Sequence, residues 1–268
     1  MDRALGGGLP VGMVTEIVGE SGVGKSQLCF QLLLTAQWGE DREDSPGLRS
    51  KALYIQTETY NPHVRLNELA KGQAEKGLSA ENALENIYIE SLPAQGGPDE
   101  LIGILQKAAV EAQQHWNDPM PLRLIVVDSL ANLFKDGDEN KTDALFRISR
   151  LLKELADRFH MVVVVTNHVV DVIGDNLVHN VKLGNVQRLL TDGRQVYPSL
   201  GFAWANCPNN RIFLSKTKWQ IDHEGSNKTV RKLEVAFSPA TAPGSCHCLV
   251  TKVGFQGLPD SYVATQNS

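Results

Sequence analysis

The clearest chemistry in the sequence lies in one short run, Gly19-Glu20-Ser21-Gly22-Val23-Gly24-Lys25-Ser26. Its spacing, G-x-x-x-x-G-K-S, is that of a phosphate-binding loop. Each residue type has a task. Glycines, lacking Cβ atoms, let backbone N–H groups converge on phosphate oxygens. A helix entered at Gly24 turns its positive end toward the same anion. Lys25 brings a point charge to the β and γ phosphates, and the Ser26 hydroxyl is a magnesium ligand. Gln27 follows directly and joins the expected contact set for a nucleoside triphosphate.

Two carboxylates and a histidine complete the candidate chemistry. Asp128 closes the apolar run 124–127. A carboxylate at the C-terminal edge of a parallel strand faces the crevice where α/β sheets bind ligands. Asp128 therefore reads as the second partner of magnesium; a cap that meets only water is the alternative. Glu58 follows the apolar segment 51–57 and reaches the same edge. A base there would orient water toward a γ-phosphate, although an exposed glutamate leading into a helix fits the spacing equally well. His168 ends the run 161–167. Its imidazole suits a hydrogen bond to phosphate or water, and equally a strand end without nucleotide contact.

The elements that must position these residues alternate. Strands are expected at 13–18, 51–57, 86–91, 122–129 and 161–167. Helices are expected from 24 to about 38, from 62 onward, and at 98–115 and 142–159. The last carries Leu145, Ile148, Leu151, Leu152 and Leu155 at helical spacing. Alternation of this kind predicts a mostly parallel central sheet flanked by helices, the α/β class. Residues 169–198 show little periodicity and read as a long functional loop. A short helix near 198–206 follows, with Trp204 as a packing anchor. Strands at 210–218, 228–237 and 246–253, with no helices between them, predict an antiparallel C-terminal extension.

Composition narrows the class. The chain has 268 residues, 42% hydrophobic and 21% charged, which excludes a disordered chain, a collagen repeat and a coiled-coil rod. A formal charge of −5 excludes a generic basic nucleic-acid coat but not a local DNA-binding loop. Cys246-His247-Cys248 has the wrong spacing for a zinc knuckle and reads as alternating residues of one strand. There is no run of 18 apolar residues and no signal-peptide pattern, so the expectation is a soluble intracellular protein away from membranes.

Longer stretches carry a resemblance. "LGGGLPVGMVTEIVGESGVGKSQL" at 5–28, "YIQTE" at 54–58, "LIVVDS" at 124–129, "VVVVTNHV" at 162–169, "SLGFAWANCPNNRIFLSKT" at 199–217 and "FSPATAP" at 237–243 occur in the order found in the RecA family. They resemble in particular the eukaryotic recombinases of homologous recombination. The "PH" and "RL" of 62–66 resemble the X-ray-repair cross-complementing subgroup of recombinase paralogues.

The resemblance implies a RecA-like P-loop NTPase core over 1–268, without the family's N-terminal helical domain. It implies ATP and Mg2+ as ligands, Glu58 as catalytic glutamate, Asp128 on the magnesium strand and His168 on the strand that senses the γ-phosphate. It also implies a nuclear protein in a hetero-oligomer with other paralogues, assisting the strand-exchange recombinase on single-stranded or branched DNA. The candidate DNA contacts are Lys135, Arg188 and Arg194; a solvated loop charge is the alternative for each.

The sequence departs from the family pattern in three places. His168 stands where the family has the glutamine that couples the γ-phosphate to its DNA loop. Phe237 stands where an acidic residue often precedes the "SP" of the ATP-capping segment. The DNA-facing loops are not basic. Between Val169 and Pro198, Lys182, Arg188 and Arg194 are balanced by Asp171, Asp175 and Asp192; near 130–142, Lys135 and Lys141 face Asp136, Asp138 and Glu139. Weak DNA binding by the chain alone follows. Glu58 thus speaks for a DNA-dependent ATPase; His168, Phe237 and the neutral loops speak for an ATP-dependent assembly module with little turnover.

Overall fold

A computed structural model describes residues 1–39, 47–74, 80–93, 96–134, 139–171 and 189–259. The first strand, β1 (Met13–Gly19), leads through the phosphate loop into α1 (Lys25–Thr35). Strand β2 (Lys51–Gln56), helices α2 (Pro62–Ala74) and α3 (Ala80–Glu85), strand β3 (Ile87–Ser91) and helix α4 (Pro98–Gln114) follow. Then come β4 (Leu122–Asp128), α5 (Lys141–Arg158) and β5 (Val162–Asn167). The α/β class, the parallel core and the C-terminal antiparallel strands all match the sequence reading.

The C-terminal part adds β6 (Val169–Asp171), β7 (Leu189–Thr191), β8 (Arg194–Pro198), α6 (Gly201–Ala205), β9 (Asn210–His223), β10 (Ser226–Phe237), β11 (Ser245–Thr251) and β12 (Gly254–Gly257). The main sheet has nine strands in the order β12-β11-β10-β9-β1-β5-β4-β2-β3. From β9 to β3 the neighbours run parallel; from β9 to β12 they run antiparallel.

The segment 169–198, expected as loop, is corrected in part. Its described ends form a second sheet in the order β6-β8-β7. These strands are three to five residues long and cover their inner face with Leu189 and Val196 against Val18 and Phe213.

Side-chain alternation explains the layers. Leu124, Val126, Val162 and Val164 face α1 and α2, meeting Phe30, Leu33, Leu66 and Leu69. Ile125, Val127, Val163 and Val165 face α4 and α5, meeting Leu105, Leu145, Ile148 and Leu152. A strand buried on both faces must be apolar throughout, as the valine run of β5 is. Trp204 of α6 is fully buried in the second layer, the packing role expected of it. No helix among the described residues is long and apolar enough to cross a membrane.

Candidate nucleotide site

Four neighbouring parallel strands, β1, β5, β4 and β2, end on the same edge of the sheet. Register brings their ends level: Val18 pairs with Asn167, Val127 with Val165, and Gln56 with Asp128. The phosphate loop, His168, Asp128 and Glu58 follow or finish these strands, so all four converge on one crevice.

The loop has the geometry its glycines predict. Gly22 and Gly24 have φ of 69° and 113°, values that L side chains rarely adopt. Helix α1 has Gly24 as its N-cap and no side-chain cap, which leaves its first N–H groups to an anion. Lys25 Nζ donates to Gly19 O at 2.8 Å and Glu20 O at 3.0 Å. Burial lowers the Lys25 pKa, against the pull of Asp128 and Glu58. A buried cation pointed into an anion-binding loop gains most when phosphate arrives, because the charge then acquires a partner.

His168 bridges two of these groups. Its Nδ1 lies 3.4 Å from Lys25 Nζ, and its Nε2 lies 3.9 Å from Glu58 Oε1. An ammonium only donates, so Nδ1 accepts and the ring proton sits on Nε2, facing the carboxylate. Burial and the Lys25 charge lower the His168 pKa, favouring the neutral ring.

Asp128 is buried and held by three hydroxyls. Thr166 Oγ1 donates to Oδ1 at 2.5 Å; Tyr54 Oη and Tyr60 Oη donate to Oδ2 at 2.7 and 3.3 Å. The two phenols also touch each other. Burial, and next the Asp128 charge, push both phenol pKa values far up, so both remain donors. Ser26 and Asp128 offer hard oxygen donors, the ligand type that suits magnesium, and Oδ1 retains a lone pair beyond Thr166.

The remaining loop residues have other duties. Glu20 pairs with Arg194 through Oε1 and accepts Thr191 Oγ1 at 3.0 Å through Oε2, binding the small sheet to the phosphate loop. Arg194 also meets Asp171 at 2.7 Å. Both guanidinium ends are thus engaged within the chain. Gln27 Oε1 accepts Arg65 Nε at 2.7 Å, and Arg65 reaches Thr251 O at 2.7 Å. Ser21 is exposed and Val23 buried. Lys135 and Arg188 lie outside the described residues.

Several residues at the site are absent from the sequence reading. Tyr54, Tyr60 and Thr166 surround Asp128; Asn132 touches Glu58 at 3.0 Å. The available signal was a phenol and a hydroxyl on otherwise apolar strands, since a buried polar group needs a partner. From the antiparallel side, Arg231 Nε donates to Val23 O at 2.9 Å and Lys216 Nζ to Ser21 O at 3.5 Å. Behind the crevice, Arg211 and Glu16 form a buried ion pair at 2.5 Å. Asn167 Nδ2 donates to Glu16 Oε1 at 2.7 Å. The Arg211 guanidinium sits 4.9 Å over the Phe237 ring.

The family model of Rad51 matches residues 1–185. The chain belongs to the Rad51 family. It is 33% identical over 279 residues to the DNA repair protein XRCC3 homolog of Arabidopsis thaliana, covering 95% of this chain and 89% of that protein. It is 29% identical over 274 residues to the mouse DNA repair protein XRCC3, covering 97% and 73%. The DNA repair and recombination protein RadA of Aeropyrum pernix is 35% identical over 176 residues, covering 63% of this chain and 50% of RadA. Both XRCC3 alignments run nearly the whole length of this Rad51-family chain, and the RadA alignment covers a shorter part. The likeness is therefore to XRCC3-like paralogues of the RecA-type fold.

Proposed function

We propose that this Rad51-family chain binds ATP with Mg2+ and hydrolyses it in a DNA-dependent way. In this reading it acts in the nucleus, in a complex of recombinase paralogues that assists the strand-exchange recombinase in homologous-recombination repair. The observation that carries the proposal is the convergence of Lys25, Asp128, Glu58 and His168 on one strand edge, with His168 in contact with Lys25 and near Glu58.

The residues divide the work. Residues 19–27 cradle the triphosphate through backbone N–H groups, and Lys25 leaves its own loop carbonyls for the β and γ oxygens. Ser26 and Asp128 would hold the divalent ion, which when bound offsets the phosphate charge. Glu58 takes a proton from water as the water oxygen bonds the γ-phosphorus. The bond to the bridging oxygen then breaks, and its electron pair leaves with ADP. His168 stands between cation and base, where it can sense the γ-phosphate.

Glu58→Gln tests the assignment by keeping size while removing the base. ATP affinity should survive, while phosphate release from the paralogue complex falls about 10²–10⁴-fold. Equal rates in wild type and variant would remove Glu58 from catalysis. ATP binding without turnover in either protein would make the chain an ATP-dependent assembly module instead.

A further inference from the structure

Glu58 has an exposure problem. Its side chain is 47% exposed. A loose glutamate samples many rotamers, and a base misplaced by about 1 Å loses much of its effect. The neighbouring turn supplies a restraint. Leu130–Leu133 forms a single 3-10 turn directly after β4, and Asn132 is exposed on it. Its Nδ2 lies 3.0 Å from Glu58 Oε1 and 3.3 Å from Thr57 Oγ1.

The turn is itself fastened to the segment carrying Glu58. Thr57 N donates to Asp128 O at 2.9 Å. Thr57 Oγ1 donates to Ser129 O and accepts Ser129 N, both at 2.9 Å. Asn132 therefore reaches Glu58 from a platform that cannot shift without breaking three hydrogen bonds.

The contact is selective for one oxygen. Asn132 and the His168 ring both approach Oε1; among the described residues Oε2 has no partner. The carboxylate only accepts, so the amide nitrogen must face it. An amide also adds no net charge. It fixes the carboxylate without neutralising it, as a lysine or arginine at this place would.

We propose that Asn132 is a positioning residue for Glu58, clamping Oε1 so that Oε2 is the oxygen that takes the proton from the attacking water. The inference rests on the hydrolytic reading above and extends it to a residue on a different strand end. The proton passes from water to Oε2, and the bond changes at phosphorus are those already given.

The experiment is a double-mutant cycle on phosphate release by the full chain with its paralogue partners, using N132A, E58Q and the pair. N132A should lower kcat about 10–100-fold with KM nearly unchanged, because an exposed amide beside the base contributes little to ATP binding. In the E58Q background it should add nothing, since it acts only through Glu58. The isosteric N132D preserves the turn but sets carboxylate against carboxylate, and should fall at least as far. Thermal melts of both single variants should match wild type. A wild-type kcat in N132A, or an equal loss in both backgrounds, overturns the proposal. If E58Q abolishes turnover while N132A and N132D are silent, only this inference fails. If E58Q is silent, or wild type does not turn over ATP, the hydrolytic reading fails first and this one with it.

Discussion

The most demanding prediction concerns the buried ion pair behind the nucleotide crevice. Arg211 is 1% exposed and Glu16 0%, with Nε–Oε2 at 2.5 Å. Replacing Arg211 by methionine leaves the Glu16 carboxylate in the core, still accepting the Asn167 amide. Removing one member of a buried pair costs about 3–5 kcal/mol, because the survivor keeps its desolvation penalty. The guanidinium over Phe237, at 4.9 Å, is lost as well, worth about 0.5–2 kcal/mol. For a chain of this size each kcal/mol lowers Tm by about 2–4 °C, so R211M should melt roughly 7–28 °C below wild type. Urea unfolding followed by circular dichroism gives the free-energy difference directly. The double variant E16Q/R211M removes both charges and should recover most of the loss, to within about 1.5 kcal/mol of wild type. A single variant that loses less than about 1 kcal/mol, or a double that loses as much as the single, refutes the reasoning.

Three further outcomes are expected. K25A should abolish detectable ATP binding in isothermal titration with magnesium, since charge-assisted contacts to phosphate are worth about 1.5–3 kcal/mol each; an unchanged Kd would sink the loop assignment. The isolated chain should bind single-stranded DNA weakly, with a shallow slope of log K against log salt in fluorescence anisotropy; a steep slope would reveal a basic surface that the loop charges do not predict. The His168 pKa is lowered in the folded protein, so its stabilising contribution is complete above the ordinary histidine value and is lost as pH falls through the folded value. H168Q should therefore flatten the acid side of the stability–pH curve below about pH 6.5, and parallel curves for both proteins would contradict that.

The phosphate loop, Asp128 and Glu58 were legible in the sequence because each signal is local: a spaced glycine run, or a carboxylate closing an apolar strand. Their supporting shell was not. Tyr54 lies 74 positions from Asp128, Tyr60 lies 68, and Thr166 lies 38. Only the strand order β5-β4-β2 brings them together, and no window along the chain contains that order. The small sheet β6-β8-β7 escaped for a different reason. Strands of three to five residues give too few alternations to stand out, and their pairing partners are up to 29 residues apart in sequence, as Val169 and Pro198 are. Strand β9 runs to His223, past the expected end near 218, because its outer half "TKWQIDH" is polar and half-exposed and is held by pairing to β10 rather than by burial. Arg211 and Glu16 were unreadable as a pair for the same reason as the aspartate shell: they meet only across the β1–β9 register.

The place of β1 in the sheet sets a timetable for synthesis. Strand β1, which feeds the phosphate loop, pairs with β5 on one side and β9 on the other. Its second neighbour begins at Asn210, so about 190 residues separate the two when they leave the ribosome. At 5–20 residues per second that is a wait of roughly 10–40 s. During it, Val14, Ile17 and Val18 have no finished sheet to enter, and contacts across such separations form slowly. The nucleotide crevice, lined by the ends of β1, β5, β4 and β2, can form only once β5 has emerged, and β1 keeps an open edge that needs protection from aggregation until β9 arrives.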